Sequence, residues 1–245
     1  MTLAVAVTCP EGVACSVDSR ICLDLPQPPV VIGPKAKVEL PPEVFVFSDS
    51  AEKLAVVQGR FLVCSGGKAP AGTPSTWIAE CAAAPTVQAA GSDPDAFLKA
   101  LAAFSGARHP NVALLVAYVD DAGHPRVFYT HQSEVRAYDV TDPRTGAPVA
   151  FGAYAQGFHD LITRPGGLVG DREGGYAFNN YDLVQAAALS RWLVQSVADW
   201  MSFRVAPKLV GGPVLTAVAD RSGAKMIRPR EITVRDFGRA ADAVP

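Results

Sequence analysis

Hydrophobic positions in this chain come mostly as short runs, and long helical stripes are few. Residues 2–8 (TLAVAVT) and 13–17 (VACSV) are apolar runs separated by CPEG, whose proline and glycine supply turn chemistry, so they predict a β-hairpin. ICLDLPQPPVVIGPKAKVELPPE follows, too rich in proline for a helix interior or a central strand. It reads as an extended excursion with short edge strands. EVFVFS (43–48) predicts a strand, and SAEKLAVVQGR (50–60) fits either a short helix or a strand before a bend. Residues 65–76 (SGGKAPAGTPST) read as a loop.

Helical spacing first shows in DPDAFLKALAAFSGAR (93–108), where Asp93 or Asp95 can cap the first turn. Residues 111–131 predict strand, turn and strand, with DDAG as the turn. Residues 148–162 read as a strand leading into a helix, and the glycine-rich 164–175 as a surface loop or lid. The longest helical signal is 182–204, with Leu183, Ala187, Trp192, Val197 and Trp200 assigned to one apolar side. A last hairpin covers 213–227, and the tail beyond it looks peripheral. Strands, helix, strands, two helices and strands in that order predict an α+β fold of antiparallel sheets with helices outside, not a βαβ parallel sheet. With no repeat or boundary visible, residues 1–245 are expected to form a single domain, with a core at about 2–227 and a tail at 228–245.

Composition narrows the chemistry. The chain has 245 residues, 49% of them hydrophobic, which suits one sizeable core. A formal charge of -2 without any basic run gives no reason to expect nucleic acid or an anionic membrane as partner. The five cysteines are odd in number and contain no C-x-x-C, so reduced, buried thiols are expected. The chain also lacks an uninterrupted apolar run of about 18 residues and a signal-peptide pattern near Met1, and a cytoplasmic location is expected. His109, His124, His131 and His159 show no metal-ligand spacing, and SGGKA fails the phosphate-loop pattern. No G-x-S-x-G occurs, and Asp120 with Asp121 is better read as turn chemistry than as a catalytic pair.

The opening hairpin carries the sharper question. Facing residues of an antiparallel pair have position numbers of nearly constant sum, about 20 or 21 here, which puts Thr2 opposite or diagonal to Asp18 at about 5 Å between facing Cβ atoms. An initiator methionine is normally trimmed before a residue as small as threonine. A chain beginning at Thr2 would carry a hydroxyl nucleophile and an α-amine of pKa near 8 on one residue. A lysine nearby would lower both pKa values, and the carboxylate would hold that lysine. The plain alternative is that Thr2 is a β-branched strand residue and Asp18 a carboxylate near a turn.

TLAVAV..PEGVACSVDSR resembles the opening of proteasome β-type subunits and their bacterial relatives, N-terminal nucleophile (Ntn) hydrolases. Those chains begin on the catalytic threonine, turn at a "-DGV-" element and reach "-ADSR-". NVALLVAYVDDAGHPRVFYTHQSEV, AFGAYAQGFHDLI and VGGPVLTAVADRSG extend the resemblance across about residues 2–227, although only the opening motif is specific. The implied fold is a four-layer αββα sandwich, two antiparallel sheets enclosed by helices. The implied function is threonine-type amide-bond hydrolysis, a peptidase cleaving peptide or protein substrates through a threonine acyl-enzyme, with no metal or cofactor.

By this resemblance Thr2 is the nucleophile, Asp18 the conserved aspartate and Arg20 the arginine after it. Lys37 is the site lysine, with Lys35 as the other candidate. Ser50 or its neighbour in FSDSA occupies the place of the oxyanion-hole glycine, where a main-chain N–H would serve, and Arg20 falls on the same substrate-binding side. A homo-oligomeric ring with a sequestered chamber is implied, and an unfoldase partner is compatible with it. The sequence departs from the family where supporting residues stand: Ala153, Pro207 and Val210 replace a serine, an aspartate and a serine. Those departures motivate a second reading, a catalytically silent structural or binding subunit. Acyl transfer or hydrolysis of a small amide by the same residues is a third.

Overall fold

The computed structural model describes residues 2–25, 30–33, 36–38, 43–67, 77–110, 112–131, 133–138, 149–152, 181–203 and 209–227. The chain opens with β1 (Leu3–Cys9) and β2 (Gly12–Asp18), then β3 (Ile21–Leu25), β4 (Val30–Gly33), β5 (Ala36–Val38) and β6 (Glu43–Ser48). Next come β7 (Leu54–Val57), β8 (Phe61–Gly67) and three helices, α1 (Trp77–Ala83), α2 (Pro85–Ala89) and α3 (Pro94–Arg108). After them run β9 (Val112–Val119), β10 (Pro125–His131), β11 (Glu134–Tyr138) and β12 (Val149–Gly152). The long helix α4 (Leu183–Ser202) precedes the closing pair β13 (Val214–Asp220) and β14 (Gly223–Ile227).

Among the described residues two five-stranded antiparallel sheets form, ordered β12-β1-β2-β13-β14 and β11-β10-β9-β8-β7, beside the two-stranded pairs β3-β6 and β4-β5. The fold is α+β, a two-sheet sandwich. Leu3, Val5 and Val7 pack with Ala186, Leu193 and Val194 of α4, whereas Ala4 and Ala6 meet Leu62, Leu115 and Ala117 of the second sheet. Strands covered on both faces favour apolar residues on each, which is why β1 and β2 are mostly apolar runs, with the buried Ser16 hydroxyl satisfied by those of Ser190 and Thr216. Alanine and cysteine dominate the surface between the sheets and let them approach closely. On the far side of the second sheet, Phe61 stacks on Phe97 of α3 at 3.9 Å between ring centroids, with Trp77, Ile78 and Val87 around them.

Several elements fall where the sequence puts them. Asp93 caps α3 by accepting from the Asp95 and Ala96 N–H groups at 2.9 and 3.1 Å, with Pro94 in the first turn. Asp182 and Gln185 form a capping box on α4, and Glu11 in the β1–β2 turn accepts from the Leu183 N–H at 3.0 Å. SAEKLAVVQGR resolves to a strand, β7, followed by a turn in which Gln58 and Gly59 both have positive φ.

Other elements differ. Residues 65–67 belong to β8, paired with β9 through Gly67↔Val112, so the loop begins later than expected. On α4 the buried stripe is Ala186, Ala187, Ser190, Leu193, Val194 and Met201, while Trp192 and Trp200 are 43% and 53% exposed. Ala187 and Trp192 are five residues apart, or about 140° around a helix of 3.6 residues per turn, so they cannot share a face. Small residues pack flat on the sheet, and the indoles turn away from it. The helix expected within 148–162, the glycine-rich 164–175 and the tail 228–245 lie largely or wholly outside the described residues; the strand expected at 148 is β12. Among the described residues no helix is long and apolar enough to cross a membrane.

Candidate active site

The β1–β2 ladder runs from Ala4↔Val17 to Cys9↔Gly12. Extending that register by one pair brings Leu3 beside Asp18 and leaves Thr2 diagonal to it. The Leu3 N–H donates to Asp18 Oδ1 at 2.8 Å. Asp18 Oδ2 accepts from the Arg20 N–H at 3.2 Å and from the Gly211 N–H at 3.4 Å. On the other side of β2, Val214 of β13 pairs with Asp18. Asp18 is completely buried, and Thr2, at the head of β1, is 3% exposed.

A cation reaches this carboxylate from the opposite sheet. Lys53 stands one residue before β7, and its Nζ lies 3.4 Å from Asp18 Oδ2. It also donates to the Arg20 carbonyl oxygen. Lys53 is 6% exposed, so it bridges the end of the sandwich with almost no access to water. Burial is the leading influence on both charges: it pushes Asp18 above the usual carboxylate range, against the pull of Lys53 and three backbone N–H groups. It pulls Lys53 below the usual lysine range, against the attraction of Asp18. The two shifts bring the proton affinities of the carboxylate and the ammonium closer together than they are in water.

The remaining residues singled out by sequence take other positions. Lys37 lies on β5, opposite Val31 in the two-stranded β4–β5 sheet. Its side chain, and Lys35, lie outside the described residues. Among the described residues the lysine at Asp18 is Lys53, which sequence reasoning missed although it too is a lysine followed by an apolar strand. Ser50 is exposed; its N–H donates to Ser48 Oγ at 3.1 Å, and the two hydroxyls are also 3.1 Å apart. Its main-chain donor is thus already engaged. The Arg20 guanidinium turns toward Asp49, with Nε to Oδ1 at 2.6 Å and Nη2 to Oδ2 at 2.9 Å. That contact holds the Asp49 carboxyl below the usual range.

Gly211 and Gly212 were also missed. A Cβ on Gly211 would collide with the Arg20 guanidinium, and one on Gly212, where φ is +73°, would lie 2.5 Å from Ser19 Oγ. Gly212, at positive φ and where a Cβ would lie 2.7 Å from the Asp49 carbonyl oxygen, is where the segment needs glycine to close over the site. Val210 beside it is fully buried, while Ala153 and Pro207 lie outside the described residues. No protein-family model and no curated protein matches the chain.

Proposed function

We propose that this chain is an N-terminal threonine amide-bond hydrolase, a proteasome-like peptidase of the Ntn class with four-layer αββα architecture. One observation carries the reading: a buried Asp18–Lys53 pair at 3.4 Å whose carboxylate is anchored by the N–H of Leu3, the residue after Thr2. Helices packed outside each of two facing sheets support the architecture.

The chemistry requires a mature chain that starts at Thr2. The α-amine takes the Oγ proton as Oγ attacks the scissile carbonyl carbon, and the tetrahedral intermediate collapses to an ester. The leaving amine departs with that proton. The α-amine then takes a proton from water, whose oxygen attacks the ester, and Thr2 Oγ is reprotonated as the acid product leaves. The Lys53 charge would favour the neutral amine and the alkoxide-like oxygen, and Asp18 would orient Lys53. The Ser50 N–H would have to leave Ser48 Oγ before it could hold an oxyanion.

A second reading, a silent structural or binding subunit, is favoured by that engaged donor and by the apolar, buried Val210. Covalent labelling separates the two. A chain beginning at Thr2, incubated with a β-lactone, should gain one adduct located on Thr2 by mass spectrometry, and Thr2→Ala should gain none while keeping its melting temperature within a few degrees. A Thr2-started chain that stays unlabelled overturns the hydrolase reading.

A further inference from the structure

The two halves of the buried pair reach the site from either side of a long detour. The chain leaves at Arg20, runs out through β3, β4 and β5, and returns through β6 to Asp49, four residues before Lys53. Among the described residues β3 pairs with β6 and β4 with β5, and neither pairs with a strand of the two five-stranded sheets. A long excursion does little to hold its own ends together. The ends are instead fixed at the root. Ile21 pairs with Ser48, the Ser19 hydroxyl donates to the Asp49 carbonyl at 2.6 Å, and the Ala51 N–H donates to the Ser19 carbonyl at 3.0 Å.

Beside the buried Asp18–Lys53 pair itself, the side-chain ion pair described across this root is Arg20–Asp49, and it is two-pronged, which fixes angle as well as distance. Arg20 is a junction. Its N–H donates to Asp18, its carbonyl accepts from Lys53, and its guanidinium, backed by Gly211, grips Asp49. Asp49 itself touches neither Asp18 nor Lys53 through any described hydrogen bond, and its side chain is 44% exposed. As an isolated surface pair it would contribute little to stability. Its placement gives it a geometric task.

We infer that Arg20 and Asp49 are positioning residues: their ion pair latches the Lys53 segment to the Asp18 segment across the root of the 21–48 excursion and sets the separation of the buried pair. The catalytic consequence rests on the hydrolase reading above; the geometric claim does not. With the latch shut, whatever happens along the excursion leaves Lys53 where it is. With the latch open, Lys53 gains freedom relative to Asp18.

The test uses the full chain with Asp49→Ala, Asp49→Asn, Asp49→Glu and Arg20→Lys, each checked for folding by thermal unfolding. Native-state acetylation of Lys53 by acetic anhydride, quantified by mass spectrometry, reads the latch without needing activity. Local opening should speed Lys53 acetylation by about tenfold or more in Asp49→Ala, with Asp49→Glu restoring protection. If Asp49→Ala does not fold, Asp49→Asn, of nearly unchanged shape, carries the same measurement. Lys53 protection equal to wild type in a folded Asp49 variant overturns the proposal. The pH profile of β-lactone labelling gives the second readout: its apparent pKa should rise in Asp49→Ala and return in Asp49→Glu. A wild-type chain that begins at Thr2 and is never labelled counts against the hydrolase reading, while Lys53 acetylation still decides the latch.

Discussion

The same strands end in two very different places. At the end away from Thr2, the β7–β8, β9–β10 and β13–β14 turns meet around an open cleft of about 460 Å³. Arg60 pairs there with Asp121 at 2.7 Å, Arg126 with Asp120 at 2.8 Å, and the Ala224 N–H donates to the Gly59 carbonyl at 2.7 Å. Asp121 is 92% exposed, so water solvates what the protein does not. At the Thr2 end Asp18 has no water contact and Lys53 almost none. Charges at the first end cost little to hold; those at the second cost several kcal/mol each to desolvate, and apolar residues of similar volume often serve stability as well or better. A sandwich built for stability alone would not place an ion pair there, which is why that end is the candidate site.

The largest break in this comparison comes from removing one buried charge. Lys53→Met leaves Asp18 buried without its cation and should destabilise the fold by about 3–5 kcal/mol in urea unfolding at pH 7. Asp18→Asn combined with Lys53→Met removes both charges and should recover a large part of that loss. A double variant as unstable as the sum of the singles would mean that the two residues are not coupled.

The next effect is in the pH dependence. Burial raises the folded-state pKa of Asp18 above its unfolded value of about 3.9, so its contribution to stability is complete below that value and is lost as pH rises through the folded-state pKa. Lys53 is lowered, so its contribution is present above the unfolded value of about 10.4 and is lost as pH falls through its folded-state pKa. Lys53→Met takes away the charge that restrains the Asp18 shift. Its stability deficit should therefore widen as pH rises from about 4 toward 7. Urea midpoints across that range check it, and a constant deficit would show that Asp18 is not its source.

Two glycines give a smaller and cleaner contrast. Gly212 at the Thr2 end and Gly59 at the turn end have φ of +73° and +64°, so alanine meets similar backbone strain at both. They differ in space, since a Cβ at Gly59 meets nothing within 4 Å, whereas at Gly212 it meets Ser19 Oγ at 2.5 Å and the Asp49 carbonyl at 2.7 Å. Gly212→Ala should exceed Gly59→Ala by about 1–3 kcal/mol of lost stability. Equal losses would mean that the 209–212 segment yields without cost and does not press on the site.

What could be read from sequence follows the range of the interactions. The hairpin arithmetic brought Thr2 and Asp18 together because a short turn leaves few registers, and the observed sum of 21 lies within the expected pair. Lys53 depends on where the chain re-enters after an excursion whose path no local pattern fixes, and Lys35 and Lys37 lie inside that excursion. Gly66 and Gly67 weaken β8 as a strand in propensity, yet they pair with Ala113 and Val112 because β9 is there to receive them. VGGPVLTAVADRSG marks the stretch, but that Gly211 and Gly212 lie against Arg20 and Ser19 shows only in the fold.

The smallest effect belongs to the exposed pair, and it sets the scale for the rest. Arg60 does more than meet Asp121: its guanidinium donates to the Ser92 carbonyl at 3.0 Å and lies 5.9 and 5.8 Å from the Phe61 and Tyr118 ring centroids. Arg60→Ala therefore removes packing and a cation–π contact as well as a charge, and its effect alone would overstate the ion pair. A double-variant cycle with Asp121→Ala isolates the pair, and the coupling should be below about 1 kcal/mol. At about 1 M salt the Debye length falls to about 3 Å, so this coupling should vanish. Solvent ions do not reach between Asp18 and Lys53, so the coupling measured by their own cycle should survive the same salt. An Arg60–Asp121 coupling that persists in salt, or that matches the Asp18–Lys53 value, would remove the distinction between the two ends and with it the physical case for a functional site at Thr2.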